Sequence, residues 1–287
     1  MFSLDRKRVE KVFSDYANNY DLSDVKIHLK AVHTYHVAEN ADRIAESIGL
    51  ERPDRDLAWL LGMLHDIGRF EQLRQYHTFT DGISVNHAML SADILFGKDH
   101  FKADDKKDRE SNRPIGCLPD DASSKQAPLI RSFIDDSSED PLIEKAIRLH
   151  NVFRLPKDLT EREQTYCDIL RDADKIDIFR VNVETPRTEI YDLTEEEFLT
   201  SDLSDEVFQS VMAHQNVLRR PGLTAIDKIV SHFALVYGLV YRESIVISKE
   251  QGYLNQMLQT TSENPKTEEK LLEIEDEIRK YMDERIR

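Results

Sequence analysis

The chain has 287 residues, enough for one large domain or two small ones, and 40% of them are hydrophobic, as is ordinary for a soluble protein. A formal charge of −16 argues against non-specific binding to DNA, RNA or anionic membranes, because such binding needs clustered lysine and arginine. No apolar run approaches the roughly 20 residues of a membrane-spanning helix. Residues 1–10 lack the apolar segment of a signal peptide, and two cysteines are too few for a disulfide framework. The sequence therefore predicts a cytoplasmic protein that does not act at a membrane.

Apolar residues recur with helical spacing along the chain, whereas glycine and β-branched alternation are scarce, and this pattern predicts an all-α fold. The first helix is predicted from about Asp24 to Ile48, before a terminating Gly49. The next helix begins near Pro53, and a third runs from about residue 84 to 96. Residues 98–128 are charged, serine-rich and aperiodic, which predicts a mobile surface insertion.

The second half of the chain returns to helical spacing after residues 129–134, which we interpret as a short strand or arm. Further helices are predicted from Pro141 to about His150, from about residue 161 to 179, beyond Tyr191, and from about Thr267 to the end. The predicted organisation is a core domain over residues 1–190, which contains the insertion, and a helical extension over residues 191–287 that packs on the core.

Six polar residues end or interrupt the apolar faces of these helices, where the ligands of a buried metal ion would lie. They are His33, His65, Asp66, His87, His150 and Asp174. Within the apolar run 60–69, a buried imidazole and carboxylate side by side are costly unless something such as a metal ion binds them. His36 lies on a stripe with Asn40 that is predicted to be solvated, and Asp172 and Asp177 are predicted to be solvated or to cap a helix.

The order of these six residues resembles that of the HD-domain metal-dependent phosphohydrolases. The matching segments are His33-Thr34-Tyr35-His36-Val37-Ala38, His65-Asp66-Ile67-Gly68 and Asp172-Ala173-Asp174-Lys175-Ile176, and the resemblance covers about residues 24–180. It implies a helical bundle in which His33, His65, Asp66 and Asp174 hold one metal ion.

Two further segments, residues 87–92 and 146–150, resemble those of the dinuclear members, among them the small bacterial hydrolases of dinucleoside polyphosphates. This likeness implies that Asp66 bridges two ions and that His87 and His150 bind the second. The alternatives are that these histidines contact the substrate, or that His150 caps the end of its helix. The Gly-Tyr-Pro segment of the cyclic-di-GMP phosphodiesterase branch is missing from the sequence, and the compact members have no counterpart of the insertion at 98–128.

The residue types suit this chemistry, because imidazoles and carboxylates bind Fe, Mn, Ni, Co, Zn or Mg, and a set without thiolates disfavours a structural zinc site. A carboxylate can bridge two metal ions because it offers two oxygens. Two ions can activate a water molecule and bind a phosphoryl group at the same time. We therefore assign catalytic roles to Asp66, to Arg69 as a fork for phosphate oxygens, and to Lys175 as a cation that offsets developing charge. The alternative for Arg69 and Lys175 is a surface ion pair.

The sequence therefore predicts a phosphomonoesterase or phosphodiesterase that uses divalent metal ions, two by the resemblance, on a small phosphorylated substrate or nucleotide. Two alternatives remain open. Some relatives with the same ligand order are di-iron oxygenases, which iron content and oxygen consumption would reveal. A non-catalytic nucleotide-sensing module would bind its ligand tightly without turnover.

Overall fold

The computed structural model describes residues 2–97, 129–191, 193–218 and 220–287. Within these ranges the regular structure is helical and contains no strand, which confirms the all-α prediction. The α-helices are α1 Arg6–Ala17, α2 Val25–Ser47, α3 Arg52–Leu64, α4 Ile67–Tyr76, α5 His87–Phe96, α6 Ile130–Phe133, α7 Asp140–Leu149, α8 Glu161–Glu184, α9 Arg187–Tyr191, α10 Glu195–Thr200, α11 Asp205–Met212, α12 Ala225–Phe233, α13 Arg242–Gln251, α14 Tyr253–Met257 and α15 Pro265–Ile286. The predicted insertion at 98–128 lies outside the described residues.

The strand or arm predicted at residues 129–134 is wrong, because this segment forms the single helical turn α6. The amide of Ile134 donates a hydrogen bond to the carbonyl of Ile130 at 3.0 Å, which closes the turn. Ile130 and Phe133 are both buried, and a separation of three residues brings them to one side of a helix. Among the described residues, no helix combines the length and the hydropathy that a membrane span requires.

The chain forms two compact units, Met1–Leu170 and Arg171–Arg287, and the division falls within α8. The predicted domain boundary at residue 190 stays a prediction. In the second unit, α15 begins at Pro265 after the cap Asn264 and buries one stripe of apolar residues while its opposite face is charged. The buried stripe consists of Leu271, Ile274, Ile278 and Met282. This amphipathic helix contacts α11 and α13 of the same unit.

Two glycines bring the helices of the first unit into close contact. A methyl group added at Gly62 on α3 would lie 2.5 Å from the Cα atom of Ala38 on α2, so the two helix backbones touch at this point. A methyl group at Gly68 on α4 would lie 2.6 Å from the backbone nitrogen of Ser91 on α5. Because α2, α3, α4 and α5 carry or flank the predicted ligands, these contacts set how closely the ligands approach one another.

Candidate metal centre

The His65–Asp66 pair of the apolar run 60–69 lies between two helices and not within one. His65 follows the last residue of α3 and Asp66 precedes the first residue of α4. The amide of Gly68 donates to Ser91 Oγ at 2.9 Å, which ties the start of α4 to α5. The break in the helix therefore turns two adjacent side chains towards one point, which consecutive residues of a straight helix could not do.

The carboxylate of Asp66 lies at the centre of four imidazoles. The Nε2 atoms of His33 and His65 each lie 3.6 Å from Oδ2. The Nε2 atoms of His87 and His150 lie 3.5 and 3.6 Å from Oδ1. All five side chains are almost completely buried. Each oxygen of the carboxylate thus faces its own pair of nitrogen atoms.

These separations fit a metal ion between the donors. Two ligands that each lie about 2.1 Å from one ion are about 3.0 Å apart at a right angle and about 3.4 Å apart at the tetrahedral angle. Suitable ligand atoms lie within 4.8 Å of one another in the set His33, His65 and Asp66, and again in the set Asp66, His87 and His150. The structure therefore brings together five of the six predicted ligands.

The orientation of three imidazoles is fixed from their far side. His65 Nδ1 lies 2.8 Å from the carbonyl oxygen of Gly62, and His150 Nδ1 lies 2.7 Å from that of Ile147. A carbonyl oxygen can only accept, so both Nδ1 atoms carry the proton and both Nε2 atoms present a lone pair. His87 Nδ1 lies 2.7 Å from the carboxylate of Asp81, which has the same effect.

Two Nε2 atoms approach one another at a distance that a shared cation would stabilise. His87 Nε2 and His150 Nε2 are 3.0 Å apart, and with both Nδ1 atoms protonated each Nε2 atom presents a lone pair to the other. Burial lowers the pKa of His87 to about 4, and Arg69 adds to this effect, so His87 is neutral at pH 7. A divalent ion that both nitrogens bind would turn this repulsion into attraction.

Two cations, Lys30 and Arg69, flank the carboxylate of Asp66. Lys30 Nζ donates to Asp66 Oδ2 at 2.7 Å, and Arg69 Nε lies 3.7 Å from Oδ1. Burial disfavours the charged form of Asp66, but the ammonium group of Lys30 outweighs it and holds the pKa of this carboxyl well below its usual value. Arg69 Nε is buried and has no hydrogen-bond partner among the described residues. Both cations lie against the ring of Phe79.

Lys30 was not among the residues predicted from the sequence. It precedes His33 by three residues on α2, and residues at this spacing lie on the same face of a helix. That spacing could have identified it as a cation beside the first histidine. Asp81 was also missed. It lies in a short 3-10 turn, Asp81–Ile83, where α-helical spacing does not predict the direction of a side chain.

The remaining predicted site residues, Asp174 and Lys175, lie on the part of α8 that belongs to the second unit. Asp174 is partly buried. Lys175 Nζ donates to the carbonyl oxygen of Gly238 at 2.8 Å and lies 3.7 Å from Asp172 Oδ1, and its side chain is 12% exposed. The roles of Asp174 as a ligand and of Lys175 as a catalytic cation stay predictions.

Two neighbours of Asp174 differ from expectation. Asp172 is fully buried, and its Oδ2 accepts hydrogen bonds from the amides of Val240 and Tyr241 and from Ser244 Oγ. Asp177 is also buried and pairs with Arg180 through both carboxylate oxygens. The two carboxylates are therefore not solvated as predicted. Partners from a distant segment compensate the burial of Asp172, and a partner on the same helix compensates that of Asp177.

The stripe of His36 is also less solvated than predicted. His36 is half-buried, and Asn40, one turn further along α2, is buried with 6% of its surface exposed. His33 is completely buried, so it is less exposed than His36, as predicted.

Comparison with known proteins gives one positive result. A family model described as HD domain matches residues 31–179, slightly more than half of the chain. No curated protein and no solved structure matches the chain. The matched range contains all six predicted ligands, including Asp174.

Proposed function

Because the chain belongs to the HD-domain family, we propose that it is a metal-dependent phosphohydrolase that cleaves a small phosphate ester or nucleotide. The observation that carries this proposal is the buried carboxylate of Asp66, whose two oxygens each face two imidazole nitrogens at 3.5–3.6 Å. A carboxylate with a separate pair of nitrogen donors at each oxygen is suited to join two divalent ions, and paired ions are a common means of cleaving phosphate esters.

The proposed ligands fall into two sets that share Asp66. His33, His65 and Asp66 would hold the first ion, with Asp174 as the further ligand that the family resemblance implies, and Asp66, His87 and His150 would hold the second. Divalent ions bound there would make water more acidic and would neutralise charge on the phosphoryl group. The protein contributes the fixed orientation of each imidazole, since protonation at Nδ1 commits Nε2 to the ion.

The cations beside this cluster are proposed to bind the phosphate group. Arg69 Nε is buried 3.7 Å from Asp66 Oδ1 and has no hydrogen-bond partner among the described residues. A guanidinium in such a place can donate to a phosphate oxygen with little rearrangement. Lys30 is held 2.7 Å from Asp66 Oδ2 and supplies a second positive charge. Lys175 remains a further candidate for the same task.

The test combines metal analysis with hydrolysis by the full-length chain. Protein purified without chelators is analysed for metal per chain and assayed with p-nitrophenyl phosphate, bis-p-nitrophenyl phosphate and a panel of nucleotides. We expect two equivalents of Mn, Co, Ni, Zn or Mg and turnover of at least one phosphate ester. The variant Asp66→Ala should lose both, whereas Asp15→Asn, an equivalent loss of charge at an exposed residue, should keep both.

Three outcomes would overturn the proposal. Full hydrolytic activity in Asp66→Ala would show that the cluster is not the catalytic site. Two equivalents of iron, with oxygen uptake and no hydrolysis, would support an oxygenase. Tight nucleotide binding without turnover, in protein that has been supplied with each metal, would support a sensing module.

A further inference from the structure

The carboxylate of Asp81 lies between a proposed metal ligand, His87, and the proposed phosphate-binding residue, Arg69. Its Oδ2 lies 2.7 Å from His87 Nδ1 and accepts a hydrogen bond from Asn151 Nδ2 at 3.2 Å. Its Oδ1 accepts hydrogen bonds from Gln72 Nε2 at 3.0 Å and from Arg69 Nη1 at 3.2 Å. One carboxylate therefore contacts both a proposed metal ligand and the proposed phosphate-binding guanidinium.

Asp81 is held in place by the structure around it, although its own side chain is 30% exposed. The fully buried Gln72 donates from Nε2 to the Oγ of Ser84 and to the carbonyl of Val85, both at 2.9 Å, in addition to Asp81. Ser84 Oγ in turn donates to the carbonyl of Thr80 at 2.9 Å. The turn that carries Asp81 is thus fastened to α4, the helix that carries Arg69.

We propose that Asp81 is a positioning residue that commits His87 to binding an ion through Nε2 and places Arg69 beside the same ion. The inference rests on the proposed function, because it concerns the second ion and the phosphate group. An ionised carboxylate accepts only, so it keeps the His87 proton on Nδ1 and leaves the Nε2 lone pair directed at Asp66 and His150. The same carboxylate fixes the guanidinium of Arg69 by charge and hydrogen bonding.

The variant Asp81→Asn separates this role from a merely steric one. Four donors surround the two oxygens, from His87, Asn151, Gln72 and Arg69, and an amide has one oxygen and one NH2 group. Whichever way the amide turns, its NH2 group faces donors, so either the His87 side or the Arg69 side loses its acceptor. Asparagine has nearly the same shape as aspartate but should therefore fail to position both His87 and Arg69.

The first measurement is the binding of Co²⁺ to the full-length chain, which is monitored by visible absorption and by equilibrium dialysis. Wild-type protein and Asp15→Asn should bind two equivalents. Asp81→Asn should keep the first and bind the second about 10- to 100-fold more weakly, as is typical when the partner of a ligating histidine is lost. Equal binding of both equivalents by Asp81→Asn and wild-type protein would overturn the inference.

The second measurement reads the histidine tautomer in metal-free wild-type protein and does not depend on metal binding. Long-range ¹H–¹⁵N NMR spectra, assigned with His87→Gln, should show His87 protonated at Nδ1 in the wild type. Protonation at Nε2 would overturn the role of Asp81. If wild-type protein binds fewer than two ions while His87 carries its proton on Nδ1, the two-ion function fails and the positioning of His87 by Asp81 stands.

Discussion

Replacement of Gly62 by alanine should loosen the metal site and the first unit together. The new methyl group would lie 2.5 and 2.6 Å from the Cα and N atoms of Ala38, which belong to a helix backbone and cannot rotate away. Relief to an ordinary contact of 3.4 Å requires α2 and α3 to separate by about 1 Å. His33 lies on α2 and His65 follows α3, so two proposed ligands of the first ion would move apart.

The size of the effect follows from two opposing terms. Alanine favours a helix over glycine by about 1 kcal/mol, whereas overpacking of this kind costs about 1–3 kcal/mol, and rigid backbone partners place it near the upper limit. We expect the free energy of unfolding of the variant Gly62→Ala to fall by about 1–2 kcal/mol. The affinity for the first ion should fall with it, because the ligands no longer meet at a common distance.

Urea denaturation and Co²⁺ titration measure these two quantities on the same samples. The control is Gly82→Ala, where the added methyl group has no atom within 4 Å apart from its chain neighbours, so its stability should stay within about 0.5 kcal/mol of the wild type. The reasoning would be refuted if Gly62→Ala were as stable as Gly82→Ala and bound Co²⁺ as tightly. It would also be refuted if the variant were more stable, because helix propensity would then outweigh the contact.

Three further predictions concern single side chains. Arg69→Ala should lower kcat/KM for a phosphate ester about 10- to 100-fold, the equivalent of one charged hydrogen bond, while metal per chain stays constant by elemental analysis. His33→Ala should lose metal whereas His36→Ala should be nearly silent, and equal losses would contradict the assignment of helix faces. Hydrogen bonds from two arginines outweigh burial and lower the pKa of Asp42, so this carboxylate stabilises the fold above its unfolded pKa of about 4. Asp42→Asn should therefore cost about 1–3 kcal/mol at pH 7, and the difference from wild type in urea titrations should shrink as the pH falls below about 4.

The inward direction of three histidines could be predicted from the sequence, because helical spacing determines direction. His33, His87 and His150 each lie on an apolar face, and burial of that face is enough to bring them inward. The same reasoning did not identify the interruption of the helix at His65 and Asp66, because a short interruption within a continuous apolar run leaves no periodic signal. It also placed α6 wrongly, because four residues are too few for spacing to separate a turn of helix from a strand.

Polar contacts between distant segments were beyond the reach of sequence patterns. Asp81 meets Asn151 across 70 positions, and Asp172 meets Ser244 across 72. An aspartate in a polar stretch is most simply predicted to be solvated, and only the packed structure supplies the donors that make its burial tolerable. Residues of this kind complete a site whose main ligands the sequence already indicates.

The ion pair between Lys30 and Asp66 has a consequence for how the protein acquires its metal. Small metal domains such as zinc fingers stay unfolded until the ion arrives, because the binding of the ion supplies their folding free energy. Here an internal ammonium group at 2.7 Å already balances the central carboxylate, and most of the surrounding imidazoles have their Nδ1 atoms satisfied by the protein. The chain can therefore fold first and be loaded with metal afterwards, and a chelator should strip the ions while the helices remain intact.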